Sequence, residues 1–597
     1  MRRLLFNLIL FIMPRNKVLE KAKVSLPSGR NAVDLSQEKS FAQLGADLNV
    51  CYLQAMVAGS TGTISRKCFT RTADVVSPAF HRVTEHFDFF IVPIHSLWRA
   101  WENWKLAIND MQDTNLVKWS STDMKPDLSL PSYAPRMNFH HLANSCRLKD
   151  VPSADNARKI NDMLRLVEQL RYGCMSDVLS TVDGTTMLNI LPAAAYQKCY
   201  FEHYRNTAYE SNNPYAYNFD WLYAGNSDNG ELRVGLGSQG APTKYDIVAQ
   251  ELFKMRRVNY RNDYFHNIYP ALNYVVSTPS GRAHRVPSDV ALLDASVRSL
   301  NAAPTVDASG KVTSKVYDGA FDGYGTVTVQ NIRAAFALDK LLRAAAYAPK
   351  HVRDQYKAQF GVDGVEDFDM RSERIGSFQS DVNFVEVTNM AQSADFNLGD
   401  LGAKGVGGKD NDKPLKYYCK YDSIIIGLHY YLPRAKYDAV GVYPWNVKIA
   451  REDFYIKAFE NLGLRPFYMS YIDMDGDRSL QVGWTVPNFD YKILPDVNEG
   501  PFKMYVDEIR VNSDEDAFII SRNLGQLRSF VPHVDAVFDD DTIGTFEYFK
   551  AAPEDLNTLF ATSVPAHHPI SHFQFFGDFR IMNAAVIPQS IHGQPTI

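Results

Sequence analysis

Residues 85–104 read EHFDFFIVPIHSLWRAWENW, and the fold turns on this stretch. Phe87, Phe89 and Ile91 fall two apart, with Phe90 and Val92 between them, so a strand here is apolar on both faces. That is the pattern of a strand buried from both sides. Pro93 ends it, because proline has no N–H to give to a ladder and its fixed φ suits a first helical turn. Beyond it Ile94, Leu97, Trp98, Trp101, Trp104 and Ile108 recur at helical spacing, with Arg99, Glu102 and Asn103 on the opposite side. Three of the seven tryptophans lie here, and side chains of that size dominate whichever core they enter. Phe87, Phe89, Phe90, Trp98, Trp101 and Trp104 are therefore the expected structural core.

The chain around this stretch has 597 residues, enough for several domains or for one β domain with large insertions. Its 45% hydrophobic and 22% charged residues are ordinary for a soluble globular protein. Abundant Tyr (32) and Phe (35) lean towards strands and extended contact surfaces. A net charge of −5 excludes nucleic-acid binding by bulk electrostatics, so any such contact needs a local basic patch. Cys51, Cys68, Cys146, Cys174, Cys199 and Cys419 lie far apart with no C-x-x-C pair. This argues against a zinc ribbon or a disulfide scaffold and suits a reducing cytoplasm.

Leu4 to Ile12 is apolar apart from Asn7 and follows Arg2 and Arg3, as in a signal peptide. It falls well short of the ~20 residues that span a bilayer, and no small-residue cleavage site follows it. Our reading is that Met13 is the true start and residues 1–12 are a mis-called extension. Residues 1–45 are then an N-terminal arm, basic through Arg15, Lys17, Lys21, Lys23 and Arg30, and the mass of the intact protein tests this.

Read in order, 49–92 gives short β-rich runs separated by Gly and Ser. Residues 111–152 are irregular. Ile160, Met163, Leu164, Val167 and Leu170 make one helical stripe, and LPAAAYQKCYFEHYRN from Leu191 makes a second helix. Residues 275–327 are rich in Ser, Gly, Asp and Ala, a connection long enough to be functional or mobile. Ile332, Ala335, Leu338, Leu341, Leu342 and Ala345 form a further helical face. The Gly/Lys/Asp run 398–415 reads as a loop, and YYCKYDSIIIGLHYYL as strand.

The pattern F-x-F-F-x-V-P-x-x-x-L-W-x-x-W at 87–101 resembles the start of the major capsid protein of small tailless single-stranded-DNA phages, the Microviridae and their gokushovirus-like branch in particular. LPAAAYQKCYFEHYRNTAY, RNDYFHNIYPALNY, TVTVQNIRAAFALDKLLRAAAY with YKAQFGVD, RSERIGSFQSDVNFVEVTNMAQ, DFYIKAFENLGLRPFYMSYI and SHFQFFGDFRIMNAAVIPQSIHG resemble later segments of the same proteins. No one motif is as diagnostic as a phosphate-binding loop; order and spacing together carry the resemblance, from about Phe41 to the end. It implies a mainly β fold, an eight-stranded antiparallel jelly roll of viral capsid type, spanning 46–597 with long helical and loop insertions. It further implies that 275–327 is a surface-exposed variable insertion. The implied function is a T=1 icosahedral shell, built from pentamers, that encloses a circular single-stranded DNA genome and meets a host surface receptor. An internal scaffolding protein, a pilot protein and a small DNA-binding protein are the implied partners, the virion and the host cytoplasm the implied locations.

Motifs of other chemistries are weak. Gly235-Leu236-Gly237-Ser238-Gln239-Gly240 satisfies G-x-G-x-x-G, but Pro242 and an antiparallel pattern argue against a dinucleotide βαβ unit. AKGVGGKD at 403–410 lacks the first Gly of a Walker loop and has Asp410 where Ser or Thr belongs. Asp473, Asp475 and Asp477 form no EF-hand, His567, His568 and His572 are separated by Pro569, and Asp539–Asp541 read as an acidic loop. No catalytic set declares itself, and no metal, cofactor or membrane span is expected. Lys254, Arg256, Arg257 and Arg261 are interleaved with Tyr260, Tyr264 and Phe265, as in a single-strand site where cations meet phosphates and rings stack on bases. A solvated basic face over an aromatic core explains the same residues. Lys254, Arg256, Arg257, Tyr260 and Arg261, with Arg15, Lys17, Lys21 and Lys23 of the arm, are the candidate DNA contacts. The alternatives to a coat protein are a carbohydrate-active β-sandwich enzyme and an adhesin-like binding module.

Overall fold

In the computed structural model the described residues are 30–262, 267–269, 352–498 and 573–585, with breaks inside the first and third stretches. They are mainly β. Ten strands form one antiparallel sheet: β1 (Asn31–Asp34), β2 (Gln37–Gln43), β3 (Asn49–Met56), β4 (Thr61–Val75), β5 (Val83–Pro93), β6 (Glu373–Thr388), β7 (Leu401–Lys409), β8 (Leu415–Tyr418), β9 (Ser423–Pro433) and β10 (Phe573–Ala585). The order is β1-β10-β4-β7-β6-β5-β9-β3, with β2 also on β10 and β8 also on β4. As the sequence pattern requires, β5 is central and buried on both faces.

The sheet curls into a half-barrel. β5 and β10 are four steps apart in the strand order, which in a flat sheet is about 19 Å at the usual strand spacing. Yet Phe87 meets Phe575 at 5.6 Å and Phe89 meets Phe579 at 6.0 Å between ring centroids. Burying rings from distant strands against one another favours the curl, each fully buried Phe being worth roughly 1.5–3 kcal/mol. The rims approach through Lys39 of β2, whose ammonium donates to the carbonyls of Val50 on β3 (2.7 Å) and Gln169 (3.1 Å). Burial pushes that ammonium down to about 8.

The convex side of β5, β9 and β3 is covered by α2 (Ala154–Gln169), α3 (Leu191–Cys199) with its π-helical turn Tyr200–Tyr204, and α4 (Lys244–Leu252). Met163, Leu164, Val167 and Leu170 face this core, as their spacing predicts. A further helix, α5 (Val352–Phe360), follows.

Three expectations need correction. Residues 94–107 are not one helix: a 3-10 turn at Ile94–Ser96 is followed by the short α1 (Trp101–Lys105). The Leu97 carbonyl accepts from the Phe219 N–H (2.9 Å) instead of from within a helix, and Ala107 turns left-handed at φ 52°. Trp98 is consequently fully buried and stacked on Tyr223 at 5.0 Å, whereas Trp101 and Trp104 are only partly covered. Second, residues 31–43, read as part of an extended arm, pair into the sheet as β1 and β2. Their polar sequence suits rim strands, and Phe41 packs on Phe575 at 4.8 Å.

Third, the glycine-rich run expected as a loop is strand β7, between β4 and β6. Its glycines admit close neighbours: a Cβ at Gly405 would lie 2.5 Å from the Thr72 methyl and 3.0 Å from the Phe384 ring. AKGVGGK is thus ladder and not phosphate loop. The β-rich runs between 49 and 92 are strands of the antiparallel sheet, as read from the sequence, and β3 and β4 are joined by a turn in which Gly59 takes φ +81°. The insertion 275–327, the face 332–345, residues 235–240, 473–477, 539–541 and 567–572, Tyr264 and Phe265 and the basic residues at 15–23 lie outside the described residues.

Candidate nucleic-acid interface

The stretch 253–261 leaves the end of α4 and runs between α3 and the start of β3. Tyr196 of α3 organises it, donating to the Leu48 carbonyl (2.9 Å) and accepting from the Arg256 N–H (2.9 Å). Gln197 donates to the carbonyls of Leu252 (3.0 Å) and Lys254 (2.9 Å) and accepts from Arg256 Nε (2.8 Å). The Arg256 guanidinium pairs with Glu251 at 2.6 Å and lies over the rings of Tyr200 and Phe201. Burial alone would raise the Glu251 carboxyl, but Lys254 and Arg256 outweigh it and hold it down at about 2.

Arg256 is therefore a buried clamp within this chain, and Tyr260 is buried as well. Neither is exposed in this chain. Lys254 sits 3.5 Å from Glu251, and Arg257 3.7 Å from the buried Asp47, which Arg165 also pairs. Arg261 is the exposed cation of the set.

Arg261 joins a group that its sequence neighbours do not announce. Its guanidinium approaches His86 Nε2 at 3.4 Å on the convex face of β5, and His86 stacks on Tyr430 of β9 at 4.9 Å, only 9° from parallel. Burial, reinforced by Arg261, pushes the His86 imidazole down to about 4, so it is neutral near pH 7. Two residues along the strand, Asp88 accepts from Tyr204 (2.6 Å), Tyr430 (3.3 Å) and Arg374 of β6 (2.5 Å). Arg374 is half exposed. By strand alternation with Phe378 and Ser380 it would point into the curl. A bulge between Arg374 and Gly376 turns it outwards onto Asp88, a re-aiming that bulges commonly provide.

The convex face of β5 thus carries two arginines over a stacked histidine–tyrosine pair. It offers cations and π-faces, but Arg374 already shares its charge with Asp88. The sequence pattern names Arg261; Arg374 and Tyr430 come from distant segments, and only the bulge brings the former round.

The concave face of the same strand holds a second polar group. Glu85 accepts from Thr70 (2.6 Å), His429 (2.9 Å), Tyr431 (3.0 Å) and Ser380 (2.8 Å), with Arg66 packed on the Phe87 ring at 4.4 Å. Burial would raise the Glu85 carboxyl, but hydrogen bonds from His429, Thr70 and Ser380 outweigh it and hold it at about 2. Burial lowers the His429 imidazole, against the pull of Glu85. Glu85 and His429 are both fully buried, so this network ties β4, β5, β6 and β9 together and does not open onto solvent. Among the described residues no group of three metal-binding side chains gathers, and Cys51, Cys68, Cys199 and Cys419 are free and buried. No described helix is long and apolar enough to cross a membrane. No protein-family model and no curated protein matches the chain.

Proposed function

We propose that this chain is a viral coat subunit: the major capsid protein of a gokushovirus-like phage. It self-assembles through pentamers into a T=1 shell around a circular single-stranded DNA genome and contributes to host attachment. The observation that carries the reading is where the resembling segments fall. Residues 85–93, 373–388 and 573–585 are strands β5, β6 and β10 of the curled sheet, and 191–204 is the helix laid over it. These three resembling segments supply strands of the curled sheet, and a fourth supplies the helix over it, which supports the reading.

We read the half-barrel as the wall of a viral-type jelly roll, the long stretches between its strands being insertions. Such insertions lengthen at corners without disturbing a core, and in a shell they meet neighbouring copies. Single-stranded DNA, an internal scaffolding protein, a pilot protein, a small DNA-binding protein and a host receptor are the partners this implies. On this reading Arg261 and Arg374 contribute to the genome-facing charge, while Arg256 holds the subunit together.

Sedimentation of the purified chain tests the proposal. Pentamers or shell-sized particles are expected. A compact monomer that hydrolyses a glycan would overturn it in favour of a carbohydrate-active enzyme.

A further inference from the structure

We propose that the groove between Tyr455 and Tyr491 binds one nucleotide of a single strand, with the base on a tyrosine ring and the phosphate at Lys492. This deepens the coat-protein reading and rests on it only for the source of the strand. Tyr455, Asn488, Tyr491 and Lys492 line a cavity of about 360 Å³, within the range that small ligands fill. Tyr455 and Tyr491 are 48% and 50% exposed, with ring centroids 6.3 Å apart and planes at 62°. A flat base therefore lies on one ring and meets the other at its edge.

The Tyr491 ring is held in place. Trp445 stands edge-on to it at 5.5 Å, and the Lys448 ammonium, ion-paired with Asp490, lies over it at 4.4 Å. The polar requirement comes from Asn488. It is left-handed at φ 55° and only 6% exposed, and its side-chain oxygen accepts no hydrogen bond among the described residues. A buried acceptor without a donor is unfavourable, and the ring N–H of thymine or an exocyclic amino group supplies one. At the mouth, exposed Lys492 donates to the Pro487 carbonyl at 3.1 Å, which keeps its ammonium near the rim. A neutral sugar would use the rings and the amide but leave this cation without a counter-charge. A nucleotide uses all three.

The test uses the purified full chain and a 5′-phosphorylated thymidine tetranucleotide. Ultraviolet crosslinking is expected to mark a peptide containing Tyr455 or Tyr491. By fluorescence anisotropy Tyr491→Ala should weaken binding about 5- to 150-fold, the worth of one base–aromatic stack. Lys492→Gln should flatten the logarithmic salt dependence by about 0.7. Tyr455→Ala serves where Tyr491→Ala loses its circular-dichroism signal. Crosslinks confined to other peptides, unchanged affinity in a folded tyrosine variant, or displacement of the oligonucleotide by glucose or galactose would each overturn the proposal. Assembly is scored separately: shells without crosslinks in the groove remove the site alone, and crosslinks in a chain that never assembles remove the coat-protein reading alone.

Discussion

The two faces of β5 carry carboxylates three residues apart and treat them in opposite ways. Glu85, on the concave side, is fully buried and surrounded by neutral donors and one imidazole. Asp88, on the convex side, is also buried but shares its charge with the half-exposed Arg374. Strand alternation sends one side chain into a dry interior, where a carboxylate needs every lone pair satisfied. It sends the other under a half-exposed arginine, which links that buried carboxylate to the surface. The difference separates residues that hold the subunit together from residues that can meet something else.

The sharpest way to break this comparison is at Glu85. Glu85→Ala removes the buried acceptor that His429, Thr70, Tyr431 and Ser380 share, and a loss of roughly 3–5 kcal/mol is expected in urea unfolding. Arg256→Ala should follow closely, at about 3 kcal/mol, because it removes the closer cation of part-buried Glu251 and one Gln197 contact. Either variant unfolding at the wild-type midpoint would show that the buried networks do not hold the subunit.

Acid separates the faces without mutation. His86, held at about 4 when folded, contributes stability that is complete above its ordinary value near 6.5 and is lost as pH falls from there towards 4. Glu85, held at about 2, contributes stability that is complete above about 4.5 and is lost between there and 2. Thermal unfolding against pH should therefore weaken first below about 6.5, where His86 and the buried His429 both resist protonation, and again below about 4.5, where Glu85 does, and His86→Phe should shrink the upper step and leave the lower one. The smallest effects belong to the exposed arginines. Arg374→Gln should cost about 1 kcal/mol, and Arg261→Gln less than about 0.5 kcal/mol. On the coat-protein reading, both should lower genome retention at high salt. Filling unchanged in the double variant would remove this face as a DNA contact.

Much of the wall is legible in the residues themselves. Phe87, Phe89 and Ile91 against Phe90 and Val92 announce a doubly buried strand, because a period of two leaves no other arrangement. What escapes is set by contacts that no local pattern contains. The helix expected at 94–108 breaks because the Leu97 carbonyl is taken by Phe219, more than a hundred residues away. Strand β7 hides because its glycines are there for the space that Thr72 and Phe384 occupy, whereas glycine in isolation reads as loop. At the candidate interface the basic–aromatic pattern marks Arg256 and Arg261 alike, and only tertiary burial tells the clamp from the exposed cation. Arg374 is invisible for a further reason, since a one-residue bulge reverses the face that alternation assigns to it.

Electron microscopy of particles purified from cells expressing the full chain bears on the central claim most directly. Closed icosahedral shells of one size, with curled sheets in their walls, are the predicted result. Isolated molecules under every assembly condition, active on a substrate, would contradict it.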